Sequence, residues 1–447
     1  MSEQKDYSLN PMLRETYPSA VRGDGIYIYD ENGKRYIDAE GGAIVVSLGH
    51  GLKEFGEVIK EQVEKIAFCY RYNFSTPQFR EVCRKICEFT NFEMDKVFLV
   101  SGGSEATESS VKLARTYHIY NGSSSKYKII SRWQSYHGST MGALSWTGFT
   151  FRRKEYIPYL KDFTHIPPAY CYRCWFNKEP ESCDLECADA LEYAIKQEGA
   201  STVSAFIAEP IVGAALCGAV PRDGYFTRIR EICDKYDVLL ILDEIMTGFG
   251  RTGKNFGYEH FDIVPDILAF AKGLSGGYYP LGGVMCRAKI TDTIASNSGF
   301  FGAGYTYACN PVGAAVGIKA IDYLKEHNLV DRCARMGEYL TTRMEKLREH
   351  PTVGDIRGKG LMRGIEFVKN KETKESIEPE RSYSTQIRRE AFNQGLTLLA
   401  TIGCNNGSEG DMILLGPPFI ITEDQIDEII DILDNVISLV EKNNGFK

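Results

Sequence analysis

The sequence predicts an α/β fold, with a large domain on a mainly parallel sheet and a smaller α+β domain drawn from both chain ends. Three observations predict it. Short apolar runs such as "VFLV", "VSAFIA" and "VLLIL" alternate with amphipathic segments from about residue 55 to 325, an order that gives parallel strands linked by crossover helices. Several of these runs end in a glycine turn or an acid. Finally, 447 residues exceed what one small core accommodates. Residues 1–54 and 326–447 are therefore expected to build the smaller domain around a large domain over 55–325.

The elements follow in order. "GIYIYDENGKRYIDAE" reads as a hairpin turning at Asn32-Gly33, a strong tight-turn pair. "FGEVIKEQVEKI" and "PQFREVCRKICEFT" read as amphipathic helices, and "KVFLVSGGSEATESSVKLARTYHIY" as strand, glycine turn and helix. "KYKIISRWQSYHG", "VSAFIAEP" and "VLLILDEI" supply further buried strands. Beyond residue 325 come helices, the strands "LMRGIEFV" and "DMILLGPPFIIT", and the amphipathic "DQIDEIIDILDNVISLVEK".

A net charge of -8, with no block of like charge, argues against a nucleic-acid or anionic-membrane partner. There is no signal-like apolar core at the start and no apolar run near 18 residues. The thirteen cysteines are mostly scattered, as free thiols are in a reducing cytosol, so a cytoplasmic location is expected. One group departs from that scatter: Cys171, Cys174, Cys183 and Cys187 in "CYRCWFNKEPESCDLEC". The spacing fits either a closed structural zinc site or a surface insert with reduced thiols. No two of the seven histidines lie four apart, and no catalytic metal is expected.

"LLILDEIMTGFGRTG" holds the first chemical question. Gly248, Gly250 and Gly253 fit the dinucleotide pattern, but that cradle needs a helix next and an acid about 20 residues on. Here "KNFGYEHFDIVPDILAF" follows, with no helix start, and the residue near that spacing is Lys272. The acids Asp243 and Glu244 need another explanation.

Ligands of open α/β sheets sit at the carboxyl ends of the strands. There stand Ser101-Gly-Gly103-Ser104, Tyr136-His137-Gly138, Glu209, Asp243 and Lys272. Each has a bland reading: Ser104 as an N-cap, Tyr136 as core, Lys272 as a snorkelling chain. Together they offer a phosphate cradle, a stacking ring, an acid and a lysine that burial would turn into a nucleophile. That set matches the needs of pyridoxal phosphate: an imine-forming lysine, an anion for the ring nitrogen and a phosphate clamp.

The same residues resemble the class III aminotransferases, which are fold-type I pyridoxal-phosphate enzymes, over nearly the whole chain. "SGGSEATE", "YHG", "AEP", "LILDEIMTGFGRTG", "ILAFAKGLSGGYYPLGGV", "GYTYACNPVGAA" and "VGDIRGKGLMRGIEF" carry the likeness. The resemblance implies that Lys272 links the cofactor and shuttles protons, and that Asp243 pairs with the ring nitrogen. Ile245 and Tyr136 would flank the ring, with His137 also at the cofactor. Gly103 and Ser104 would hold the phosphate, and Glu209 would belong to the catalytic set. It further implies that Thr306 reaches the phosphate of a neighbouring subunit, so the active unit is a homodimer with shared sites, a tetramer being compatible with this.

Two departures bear on the substrate. Ornithine-type members carry an arginine for the substrate carboxylate where this chain has Leu414 of "DMILLGPPFI". No arginine occurs after residue 390, and leucine cannot replace a carboxylate fork. Glu209 is thereby left without its expected partner, and the candidate cations for the acceptor are Arg71 of "CYRYNF" or an arginine supplied by the partner subunit. Pyruvate-preferring amine transaminases tend to have tryptophan where Ile44 stands. The cysteine insert and the missing arginine most resemble a branch tied to anaerobic lysine fermentation, whose members transaminate 3-aminobutanoyl-CoA. The expected reaction moves an amino group from an amine or β-amino acyl thioester to an oxo acid such as 2-oxoglutarate. The alternatives are a broad ω-amino acid or amine:pyruvate transaminase, and a lyase or aminomutase of the same fold.

Overall fold

The computed structural model describes residues 7–446. The N-terminal sheet contains β1 (Ala20–Asp24), β2 (Tyr27–Asp30) and β3 (Arg35–Asp38). β2 and β3 form the expected hairpin, with Gly33 in the left-handed region (φ 79) at its turn. The preceding strand β1 pairs antiparallel with β2; its exposed, weakly alternating "AVRGD" gives no strong strand signal.

The large sheet comprises β4 (Lys96–Val100), β5 (Lys128–Arg132), β6 (Thr164–Ile166), β7 (Val203–Ala208), β8 (Leu239–Asp243), β9 (Ile267–Phe270) and β10 (Gly282–Cys286). Its order is β4-β10-β9-β8-β7-β5-β6. Every pairing is parallel except those of β10, which runs antiparallel to both β4 and β9. β7, β8 and β9 are buried along their whole length. A central strand covered on both faces needs such a continuous apolar run.

The C-terminal segment contributes β11 (Val353–Lys359), β12 (Met362–Phe367), β13 (Leu396–Thr397), β14 (Leu399–Asn405) and β15 (Glu409–Leu415). Four of them form an antiparallel sheet in the order β11-β12-β15-β14. β13 instead pairs in parallel with β3, which ties the C-terminal segment to the N-terminal hairpin. The helix Glu423–Asn444 closes the chain behind a Thr422 capping box, which satisfies two otherwise orphaned backbone N–H groups.

The "GFGRTG" stretch opens no helix. Gly250 (φ 98) and Gly253 (φ 84) shape a turn, and a Cβ on Gly253 would stand 2.9 Å from Ala334 Cα. Glu244 fastens this turn by accepting Gly257 N at 2.8 Å, Tyr258 N at 2.7 Å and the Thr247 hydroxyl. Burial raises its pKa to about 7. Its role is structural.

The four cysteines of the insert lie around the short turn Cys171–Arg173 and the start of the helix Glu186–Glu198. Among the described residues no group of three or more His, Cys, Asp or Glu is arranged to hold a metal ion, so the closed zinc site finds no geometric support. Buried ionic contacts clamp this insert to the C-terminal sheet: Arg173 Nε meets Glu366 at 2.5 Å, and the Tyr170 hydroxyl donates to the same carboxylate.

Candidate active site

The carboxyl ends of β4, β5, β7, β8 and β9 meet at a cavity of about 180 Å³. Gly103, Ser104, Tyr136, His137, Glu209, Asp243, Ile245 and Lys272 all line it. Eight of the nine site residues expected from the sequence thus converge. The ninth, Thr306, stands exposed in a turn of the 299–307 loop and is not among this cavity's lining.

Asp243 ends β8 and is almost fully buried. One carboxylate oxygen lies 2.7 Å from His137 Nδ1, and the other accepts Ile245 N at 3.1 Å. His137 is itself fixed: its N–H donates to Thr147 Oγ1 at 2.9 Å and its carbonyl accepts the Thr107 hydroxyl at 2.7 Å. The carboxylate therefore presents its charge from a single orientation, as a partner for a ring cation requires.

Lys272 follows β9, with φ 39 in the left-handed region. Its Nζ donates to the carbonyl of Ala43 at 3.0 Å. Burial of the ammonium pushes its pKa down to about 8, against the opposing pull of the Asp243 and Glu209 carboxylates. A lysine so shifted has a substantial neutral fraction near physiological pH and can attack a carbonyl.

Ser104 lies at the start of the helix Gly103–Tyr120, whose first N–H groups and positive dipole end favour an anion. Its hydroxyl accepts Ser139 N at 2.9 Å. Two glycines keep this cradle open. A Cβ on Gly103 would lie 2.9 Å from Ile245 Cδ1, and one on Gly138 (φ 137) 2.6 Å from Ser104 Oγ. The cradle, the lysine and the fixed acid fit a phosphorylated pyridine aldehyde: Gly103 and Ser104 for its phosphate, Tyr136 and Ile245 for its ring, Asp243 for its nitrogen.

Glu209, which the sequence leaves without a partner, accepts two backbone donors: Tyr136 N at 3.2 Å and Gly213 N at 3.0 Å. Burial raises its pKa. Behind it Arg132, fully buried at the end of β5, donates to the Glu209 carbonyl at 2.5 Å. Sequence reasoning missed Arg132, Thr107, Thr147 and Ala43. Only Arg132, a cation at the end of an apolar run, left a signal that could have been read.

A sheet-end cavity holding an attack-competent lysine, an oriented acid and an anion cradle defines a fold-type I, pyridoxal-phosphate-dependent enzyme. The chain belongs to the class-III aminotransferases, matching that family over residues 12–437; it is a transaminase. A putrescine–pyruvate aminotransferase of Pseudomonas aeruginosa is 35% identical over 413 residues, covering 92% of this chain and 88% of the relative. An (S)-enantioselective omega-transaminase from Thermomicrobium roseum superposes with a TM-score of 0.89 at 36% identity, over 96% of this chain and 94% of that one. A PLP-bound amine transaminase from an uncultivated Pseudomonas species gives 0.91 at 30% identity, over 98% and 99%.

Proposed function

We propose that this transaminase takes its amino group from an amine or β-amino acyl thioester of the 3-aminobutanoyl-CoA type and passes it to an oxo acid such as 2-oxoglutarate. One observation carries the reading: among the described residues no arginine, and no lysine besides Lys272, lines the cofactor cavity, and Leu414 is fully buried on β15. A donor carboxylate beside the reacting carbon would meet no guanidinium from this lining, and an unpaired buried carboxylate is costly. The oxo acid's own carboxylate has to be met from outside the lining, by Arg71 or an arginine supplied by the partner subunit. A carboxylate-free amine or thioester meets no such penalty.

Bound in the cavity, pyridoxal phosphate supplies an electrophilic carbon for the amine and an electron sink for the carbanion. The chain supplies the rest. Lys272 Nζ would hold the cofactor covalently and, as a neutral amine, would take and return a proton at the substrate carbon. Asp243, oriented by His137 and the Ile245 N–H, would pair with the ring nitrogen. Tyr136 and Ile245 confine the ring. The same residues run in reverse when the oxo acid arrives.

The pairing of subunits is part of this reading. Exposed Phe68 meets Tyr307 and exposed Tyr72 meets Phe300 of the loop that bears Thr306, with the exposed rings of Tyr70 and Phe74 in the same segment. Arg71 Nη2 donates to Ala303 O at 2.9 Å and braces that loop. Exposed apolar patches of this kind mark contact surfaces, which supports a homodimer whose partner receives Thr306. Among the described residues no helix is long and apolar enough to cross a membrane, in keeping with a cytoplasmic enzyme.

The test is a donor profile with pyruvate and 2-oxoglutarate as acceptors. Thioester and neutral-tailed amines should exceed ornithine in kcat/KM. Preference for a free α-amino acid over every carboxylate-free amine would overturn the pocket reading. A second reading, a broad amine:pyruvate transaminase, is favoured by the relative named for putrescine and pyruvate, and pyruvate outperforming 2-oxoglutarate with a diamine donor would select it.

A further inference from the structure

Beside the cofactor cavity lies a second one of about 490 Å³, bounded by Ser139, Phe151, Arg152, Lys154, Glu155 and Tyr156 among others. The two are neighbours through Ser139, whose N–H donates to Ser104 Oγ at 2.9 Å and whose hydroxyl meets the Tyr136 hydroxyl at 2.7 Å. Phe151 and Arg152 also line a third cavity of about 290 Å³, which reaches Ala214 just past the loop held by Glu209. A continuous rim thus runs outward from the reacting centre, with Arg152 at its junction.

The rim carries two exposed cations, Arg152 and Lys154, and one exposed carboxylate, Glu155, which is ion-paired with neither. Arg152 and Lys154 are exposed, and neither has a carboxylate partner among the described residues. Both lean toward the exposed ring of Phe151, each 5.7 Å from its centroid. Between them Arg153 is buried over Trp133, with its Nε and Nη1 unpaired, adding positive potential from below. The exposed rings of Phe151 and Tyr156 line the same cavity as the cations. Unpaired arginine and lysine recognise phosphate, and exposed rings stack on a base. A cavity of this volume has room for a group larger than a simple dicarboxylate.

We infer that Arg152 and Lys154 form the subsite for a phosphate-bearing nucleotide tail, whose acyl end reaches Lys272 past Ser139. This deepens the thioester reading above and rests on it. The surface sets substrate class by holding the end that does not react.

Coenzyme A itself, titrated calorimetrically into the holoenzyme, tests the surface without turnover. Wild type should bind it, more weakly as salt rises. The double substitution Arg152→Met, Lys154→Met, at two exposed positions, should weaken binding ten- to a hundredfold by removing charge-assisted contacts. It should lower the kcat/KM ratio of thioester over neutral amine by the same factor, chiefly through KM, with Arg152→Lys recovering part of it. Absence of binding by wild type, or equal binding by the double variant, overturns the subsite, as does an unmoved ratio. Binding through these side chains with no thioester turnover instead overturns the substrate reading and leaves the subsite standing.

Discussion

The carbonyl of Ala43 accepts a 3.0 Å hydrogen bond from Lys272 Nζ across 229 residues of chain. Ala43 sits in one turn of left-handed helix: Gly41, Gly42, Ala43 and Ile44 have φ of 56, 53, 60 and 62. Such a turn costs about 1–2 kcal/mol per non-glycine residue, and a β-branched residue there is a marked outlier. It persists because its surroundings fix it. Val45 and Val46 both donate to the Gly41 carbonyl, at 2.7 and 2.8 Å, and Gly41 packs so tightly on the Gly416 carbonyl that a Cβ would come within 2.6 Å. The strained turn aims one backbone oxygen at the Lys272 ammonium.

Ala43→Gly should therefore raise the melting temperature slightly. The substitution removes strain of about 1–2 kcal/mol and adds about 0.5–1 kcal/mol of unfolded-state entropy, a net gain of order 1 °C. Ala43→Val should lower it. A thermal scan of the three proteins in which Val matches Ala would show that the turn is not strained.

Lys272→Ala should abolish the lysine-bound absorption band and nearly all turnover while leaving the fold intact. In the cofactor-free protein, the lysine's lowered pKa of about 8 fixes the sign of its pH dependence. The neutral, reactive form grows as pH rises through 8, about two units before an ordinary lysine. Acylation of Lys272 followed by mass spectrometry should rise with that midpoint. A midpoint near that of surface lysines would show that the ammonium is solvated.

Mixing Lys272→Ala chains with Thr306→Ala chains after joint unfolding should restore about a quarter of wild-type activity. Half the dimers are then mixed, and each holds one intact site. Activity no greater than that of either parent would mean that Thr306 serves no neighbouring site.

His350 is clamped between Glu441 and Asp434, 2.9 Å from each. Burial lowers its pKa, but the hydrogen bonds to both carboxylates outweigh that and hold it above the ordinary value. Lys346 also faces Asp434, at 3.5 Å. A raised histidine pKa stabilises the fold fully below the unfolded value of about 6.5 and loses that contribution as pH rises through the folded value. Glu441, whose pKa is lowered although burial opposes it, loses its share only in acid. Urea unfolding should show His350→Gln destabilised by about 1–3 kcal/mol at pH 6 and by less at pH 9. A difference that does not change with pH would show that His350 is not protonated in the fold.

The sequence by itself determined the parallel core, because β7, β8 and β9 are each written as continuous apolar runs that only a doubly covered sheet can bury. It also located Glu209, Asp243 and Lys272, which stand where those runs end, and Ser104, which follows β4, at the edge where open sheets bind ligands. β1 and β10 were not legible: one is short and exposed, and the other owes its antiparallel course to its neighbours on both sides. Tertiary structure alone decided that His137 orients Asp243, that Arg132 stands behind Glu209 and that Ala43 meets Lys272. These pairs lie 106, 77 and 229 positions apart. No local propensity or spacing encodes such contacts, because packing of the sheet's edge is what brings them within hydrogen-bond reach.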